Sequence, residues 1–496
     1  MHRTHFARAC FAFCATVLTS TAAAQTPLTL GECVRRALAN GFESHIAAED
    51  LAIAREDIPI ARGQFDPQLS ASTGRFVNQY GQFVADPTLP NSLLNTRIDQ
   101  TTASIELSQR LPTGTDVGIS ADQNRLAISP TFSPLNPSYT SGVRLTLTQP
   151  LLKGFGRSIT MLPIKRAEAT ADLAQRDYES RGLDIIENTE IAFYQLAGAR
   201  DQLAVLQVSL DFAQALRKEA GARHEAGMAT QLDVLQAEVG EANARLAVLD
   251  GERIVHDSED ELRALIGQFE LDISLGPTVL DPRMASDAID INGSYELAQK
   301  HSPVLQAQRA ALNVAELDVR SAENDLKLDL GLHAEVGLAG TNRDSSSAFS
   351  EAFGRQGSDW QVSLRAVYPI GRTAEHAHSR QTNSALRRET LRVQQLEQRI
   401  LVEVRSAVRE VTTRRESVDI AAFAAERSER QYTAEKDRFT EGLSTGRRVL
   451  EAQADLERAR LTKLQTRLDL FRSRATLRRI EGSAFGYYNV ALPPPQ

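Results

Sequence analysis

Three cysteines in 496 residues cannot supply a disulfide framework. Two of them, Cys10 and Cys14, stand in an N-terminal stretch with the marks of an export signal. Positive charge at Arg3 and Arg8 precedes an apolar run from Ala9 to Leu18, then Ala22-Ala23-Ala24 before Gln25, which puts cleavage after Ala24. Neither cysteine has the small-residue context of a lipid anchor. Cys33 is then the only cysteine of the mature chain, expected as a small buried residue. Aromatic residues are also scarce, at 6% with one tryptophan, Trp360. That is lean for a globular enzyme of this size and suits long helices packed through Ala, Leu and Val. After the signal there is no run of about 18 apolar residues, so no transmembrane helix is expected. The one remaining way through a membrane is a β-barrel. A basic excess is missing too, and a net charge of −8 argues against a nucleic-acid partner. No phosphate loop, zinc-protease motif or Gly-x-Ser-x-Gly elbow is found, so neither an enzyme nor a cofactor is expected. His376 and His378, beside Glu375, are two apart and do not share a helix face, so they read as an exposed polar patch rather than a metal site.

What the chain does contain is a repeat. Residues 223–239 and 438–454 align at an offset of 215, which sets Arg223 on Arg438, Gly227 on Gly442 and Thr230 on Thr445. Each copy lies between two long helix-like stretches. Gly227 and Gly442 are expected to stop one helix through positive φ, and Thr230 and Thr445 to cap the next. An earlier pair, residues 28–62 and 293–327, aligns at an offset of 261. Both members are expected as helices, the first opened by a capping box of Thr29 and Glu32. The offsets differ by 46, so the first copy holds 46 extra residues between its first helix and its tip.

Between helix and tip the period drops to two. Leu328 to Leu338 alternate with Asp329, Gly331, His333, Glu335 and Gly337, and Val362, Leu364 and Ala366 alternate with Gln361, Ser363 and Arg365. Val143, Leu145 and Leu147 do the same, as do Ile105 and Leu107, then Val117, Ile119 and Ala121 beyond a Leu111-Pro-Thr-Gly114 turn. Such segments fit transmembrane barrel strands, though a sheet with one wet face has the same pattern. Four segments fall in the first copy and two in the second, which accounts for the extra residues. Trp360 suits either an aromatic girdle or plain packing. Long helices follow over about 157–222 and 373–437, the first spanning roughly 100 Å at about 1.5 Å per residue. Heptad-like seams mark the helices after the tips: Leu235, Val239, Ala242, Leu246 and Leu249 in one, Leu461, Leu464, Leu468, Phe471 and Ala475 in the other. Seams this narrow need neighbouring helices or subunits to cover them.

These features together resemble the TolC family of outer-membrane efflux proteins. The resemblance is carried by Gly227 with Asp233-Val234-Leu235, by Gln149-Pro150-Leu151-Leu152-Lys153-Gly154-Phe155-Gly156-Arg157, and by Tyr368-Pro369-Ile370-Gly371-Arg372. It implies a mostly α chain with a transmembrane β-barrel part, in a TolC-like fold of two structural repeats. The expected domains are a signal at 1–24, a first repeat at 25–285 with strands about 68–149 and tip 223–233, and a second at 286–482 with strands about 328–368 and tip 438–451. A tail, 483–496, ends in a disordered Leu492-Pro-Pro-Pro-Gln496. It further implies a homotrimer whose strands share one barrel in the outer-membrane lipid, four strands per subunit, with a helical tunnel crossing the periplasm. A periplasmic adaptor and an inner-membrane transporter would engage the tips at Gly227, Thr230, Gly442 and Thr445. The resemblance makes the chain a passive exit duct of tripartite efflux or type I secretion. The alternative is a periplasmic coiled-coil scaffold that never opens a pore.

Two departures stand out. The family places acidic residues inside the tips; Asp233 and Glu451 match such places, but Arg448 stands where a further Asp is usual. Arg448 is expected either to pair with Asp233 or Glu451, within or between subunits, and hold the gate shut, or to be a solvated charge. The second departure is the hairpin around 102–124, which either widens the barrel to six strands per subunit or lies outside its wall.

Overall fold

One unit of helices and strands occurs twice along the chain. The computed structural model describes residues 28–83, 93–130, 133–269, 275–279, 289–354 and 357–494. The expected export signal lies outside them. The first unit comprises β1 (Leu28–Thr29), α1 (Leu30–Asn40), α2 (Phe42–Arg62), β2 (Gln68–Phe83), β3 (Leu93–Arg110), β4 (Asp116–Ser129), β5 (Ser138–Pro150), the single turn α3 (Arg157–Thr160), α4 (Leu162–Glu225) and α5 (Gln231–Leu265). The second comprises β6 (Thr278–Val279), α6 (Ile291–His301), α7 (Pro303–Asp325), β7 (Asp329–Asn342), α8 (Ser345–Phe353), β8 (Ser358–Val367), α9 (Thr373–Thr440) and α10 (Gly446–Glu481), followed by the short α11 (Ala484–Tyr488).

Each expected first helix is in fact two. The breaks fall at Gly41 and Ser302, which the 261 offset superimposes. Both are extended, with ψ of 135° and 111°. Ser302 precedes Pro303, whose ring disfavours the helical conformation of its predecessor. At Gly41 a Cβ would stand 2.3 Å from the Ala37 carbonyl oxygen. The capping box at Thr29 does not form. Thr29 makes no side-chain cap bond, and Glu32 instead takes Arg35 at 2.7 Å and Arg36 at 2.9 Å, cations placed one turn on along the same face.

The two units share a joint where each long hairpin meets its first helices. Gly267 and Gly482 both have φ of +70°, and a Cβ on either would lie 2.3 Å from a backbone oxygen, of Asn40 and His301 respectively. Only glycine fits such a contact.

The six long strands form one antiparallel sheet in the order β2-β3-β4-β5-β7-β8. Four strands per subunit is therefore too few. The added β3–β4 hairpin sits inside the wall, with β3 paired to β2 and β4 to β5. One row crosses all six strands through Leu69, Leu107, Ile119, Leu145, Val336 and Trp360. All six are exposed, Trp360 at 77%. The other face carries Ser70, Glu106, Ser120, Arg144 and Asp359. An apolar face turned outward and a polar face turned inward is the pattern of a lipid-embedded barrel wall, the reverse of a soluble sheet.

The core gathers where α1, α4, α5, α10 and α11 meet. Cys33, Phe193, Tyr194, Leu196, Leu262 and Phe471 are buried there, and Tyr194 stacks on Phe471 at 4.9 Å. Burial pushes the Cys33 thiol up to about 12. Inside this core Arg478 donates to Glu190, which is 1% exposed. Desolvation pushes the Glu190 carboxyl above its usual range, and the guanidinium opposes that shift. The expected disordered tail departs from the structure. Leu492 packs into the cluster of Ala47, Ala48, Leu51 and Tyr178, and the Tyr178 hydroxyl donates to the Pro493 carbonyl at 2.7 Å.

Candidate functional site

At the end of α4 the backbone forms a Schellman turn. Gly227, at φ +73°, donates to His224 at 2.9 Å, and Met228 donates to Arg223 at 2.8 Å. The end of α9 repeats it, with Gly442 at φ +76° donating to Phe439 at 3.1 Å and Leu443 to Arg438 at 2.8 Å. Both glycines thus stop their helices through positive φ as expected, but of the two threonines expected to cap only Thr230 does so.

The helices that leave the two tips begin differently. Thr230 caps α5 in a reciprocal box: its hydroxyl accepts from the Asp233 amide at 3.3 Å, and its own amide donates to the Asp233 carboxylate at 2.8 Å. The Thr230 hydroxyl also donates to that carboxylate at 2.7 Å, and this bond, followed by the one from the Thr230 amide, holds the Asp233 carboxyl below its usual range. Thr445 begins α10 without a side-chain cap bond. The residue equivalent to Asp233 is Arg448, which has no acceptor to offer. A cation in the first turn also opposes the helix dipole.

The three gate candidates do not meet within one chain. Glu451 pairs with Arg447 at 2.9 Å, and Asp233 is engaged at Thr230. Arg448 makes no ion pair among the described residues. Exposed i,i+4 pairs such as Arg447–Glu451 add little on their own.

Sequence reasoning missed the residue that ties the tips together. The Arg223 guanidinium lies 4.0 Å from the centroid of Phe439, so a residue of α4 covers a ring of α9. Phe439 joins Tyr432, Val449, Ala452 and Leu456 in a small core that also receives Leu216 from α4. The repeat alignment paired Arg223 with Arg438 and carried no signal of this contact. Between the tips is a cleft of about 220 Å³ lined by Arg223, Met228, Asp233, Phe439, Thr445 and Arg447, among others.

The seam on α5 remains open. Leu232, Leu235, Val239, Leu246 and Leu249 are all exposed. On α10, by contrast, Leu468, Phe471 and Ala475 turn into the core. The inner face of the sheet is lined by charge and hydroxyls: Arg144 donates to Glu335, and Thr148 lies 3.1 Å from His333. His376 and His378 are exposed, and among the described residues no three His, Cys, Asp or Glu side chains converge as a metal site.

A long helical hairpin pair below an outward-apolar sheet narrows the choice of family, and the sequence settles it. The profile of the family described as outer membrane efflux protein matches residues 97–268 and 294–483, well over half of the chain. The chain belongs to that family. Its fold is shared with solved channels of low sequence identity. The outer-membrane channel OprN matches with a TM-score of 0.68 at 18% identity, over 91% of this chain and 89% of that one. CmeC of Campylobacter jejuni matches at 0.67 and 13% identity, over 97% and 94%. The outer membrane protein VceC of Vibrio cholerae matches at 0.65 and 14%, over 91% and 96%. No curated protein shows a significant sequence match. As a member of this efflux family the chain is an outer-membrane channel protein extending into the periplasm, not an enzyme.

Proposed function

We propose that three copies of this efflux protein close one barrel and one helical tunnel, and that the duct is opened at its paired tips by a periplasmic adaptor and an inner-membrane transporter. The observation that carries this reading is the pair of open surfaces on the single chain. β2 and β8 are sheet edges with unpaired backbone, and in a membrane such edges must be paired. The α5 seam is an uncovered heptad stripe of the kind that packs on another helix. Joining β8 of one copy to β2 of the next satisfies the first, and packing the hairpins side by side satisfies the second.

The duct is passive, with energy supplied by the inner-membrane partner, which belongs to either a tripartite efflux or a type I secretion assembly. Gly227, Thr230, Gly442 and Thr445 are the adaptor-facing positions. Asp233 and Glu451 face the closed aperture, where Arg448, without an ion pair among the described residues of its own chain, reaches a carboxylate of the next subunit. The test is the mass of the detergent-extracted protein together with its conductance in planar bilayers. A trimer with discrete conductance steps supports the reading; a monomer that never conducts overturns it in favour of a scaffold. Arg448→Ala should raise closed-state leakage, and unchanged leakage removes Arg448 from the gate.

A further inference from the structure

The outward face of the sheet changes character along each strand. Outward positions on β2 run Leu69, Ala71, Thr73, Arg75. Those on β3 run Leu107, Ile105, Ala103, Thr101, Asp99, Arg97, and those on β4 run Ile119, Ala121, Gln123, Arg125. The pairing is continuous, so the arginines share a face with the leucines. Each of the three strands thus brings an arginine onto the outward face beyond its first apolar positions, with Val77 following Arg75 on β2 and Ala127 following Arg125 on β4.

The register brings these arginines together. Arg75 and Arg125 both stand opposite Thr101, and Asp99 is the next outward position of β3. Arg75 grips Asp99 in a fork of 3.0 and 2.6 Å, while Arg97 stands 3.9 Å from the same carboxylate. Arg125 makes no hydrogen bond or ion pair among the described residues. Three guanidinium groups therefore stand near one carboxylate, which leaves the cluster with an excess of two positive charges on a wall that faces lipid.

The same face carries a marker of depth. Helix α8 lies flat against it: Gln123 donates to Ser345, and Asn342 Nδ2 donates to Glu351 Oε1 at 2.7 Å. Ala348 and Ala352 are buried against Gly340, while Phe349 and Phe353 are exposed with ring centroids 5.3 Å apart. A short helix with small residues on the wall and phenylalanines turned away suits the boundary between acyl chains and headgroups. Its acids are committed elsewhere, Glu351 to Asn342 and Asp344 to the cap of α8 at Ser347, so they do not neutralise the arginines.

We propose that Arg75, Arg97 and Arg125 form a site on the outer wall for the phosphate groups of a phosphorylated lipid in the external leaflet. Guanidinium groups match phosphate oxygens in geometry and charge. Asp99 holds Arg75 in place, while Arg97 reaches that carboxylate only at 3.9 Å and makes no hydrogen bond to it, so Arg97 and Arg125 supply the remaining donors. The site stands on the outer-membrane placement alone and does not depend on the gate or on pore opening.

The test is native mass spectrometry of the purified full-length assembly with a diphosphorylated glycolipid, its dephosphorylated counterpart and inorganic phosphate. The wild type should retain the phosphorylated lipid and not the dephosphorylated one. Arg97→Gln combined with Arg125→Gln should lower retention at least about tenfold, since a hydrogen bond to a charged group is commonly worth that factor. Arg97→Lys with Arg125→Lys should keep part of it, which guards against a variant that simply misfolds. Equal retention by wild type and the Gln pair overturns the site, and so does equal retention of the two lipids. Displacement by millimolar inorganic phosphate alone would make it a free-anion site and overturn the lipid assignment.

Discussion

Replacing Arg448 by Asp should rebuild at the second tip the box that the first tip already has. Thr445 occupies the cap position with extended backbone, at φ −105° and ψ 151°, close to the −84° and 159° of Thr230. What α10 lacks is an acceptor three residues on, where α5 has Asp233. Adding it should contribute about 1 kcal/mol from the cap. Removing a cation from the helix start adds roughly another 0.5 kcal/mol. Local opening of the first turn of α10 should then become rarer by about tenfold. Hydrogen–deuterium exchange of the amides at 447–449 reads this directly, with the amides of the first tip as internal reference. Adding Thr445→Ala should abolish the gain, because the box needs both partners. Exchange that is unchanged in the Asp variant, or that slows equally without Thr445, would refute the capping argument. Acidity offers a second check. A carboxyl held below its usual range contributes stability that is present above about pH 4 and is lost as pH falls through its folded value. Wild-type α5 should therefore loosen at its start under strong acid, and α10 should do so only in the Asp variant.

Three further outcomes follow from the packing. Arg478→Met strands Glu190 in the core and should destabilise the helical body by about 3–5 kcal/mol; adding Glu190→Gln should recover most of it, both read by thermal melting of helical circular dichroism. Leu246→Asp with Leu249→Asp should leave each chain folded but prevent assembly, seen as loss of trimer mass with the helical spectrum retained. Trp360 is the only tryptophan, so its emission should be quenched by brominated acyl chains and spared by aqueous iodide; the reverse would place the outward row against water.

The repeat was legible because both of its breakers are local. A glycine that needs positive φ leaves the same trace in any context, so both helix stops could be placed to the residue, whereas of the two expected threonine caps only Thr230 forms. Strand alternation was equally plain, since one face meets lipid and the other water. Tertiary competition was not legible. Glu32 lies where a capping partner belongs, yet two arginines one turn away claim it. Leu492 and Pro493 look like a disordered end because their partners, Leu51 and Tyr178, stand hundreds of residues away. The Arg223–Phe439 contact was hidden for the same reason. Periodicity also suggested two similar seams, but only neighbours decide that the α10 seam is covered and the α5 seam is bare.

The extra hairpin bears on what limits passage. In the proposed trimer, six strands from each copy would give a wall of eighteen, against twelve from four each. Barrel diameter grows roughly in proportion to strand number, so the aperture is about half again as wide, in the range where porins hold an open water column. Such a mouth offers little resistance to diffusion and little selection by size. In that proposed duct the bottleneck would lie at the far end, near the tips that Arg223 and Phe439 tie together within each chain. On that proposal sieving belongs to the periplasmic throat, and widening or narrowing the outer mouth should leave the largest exported molecule unchanged.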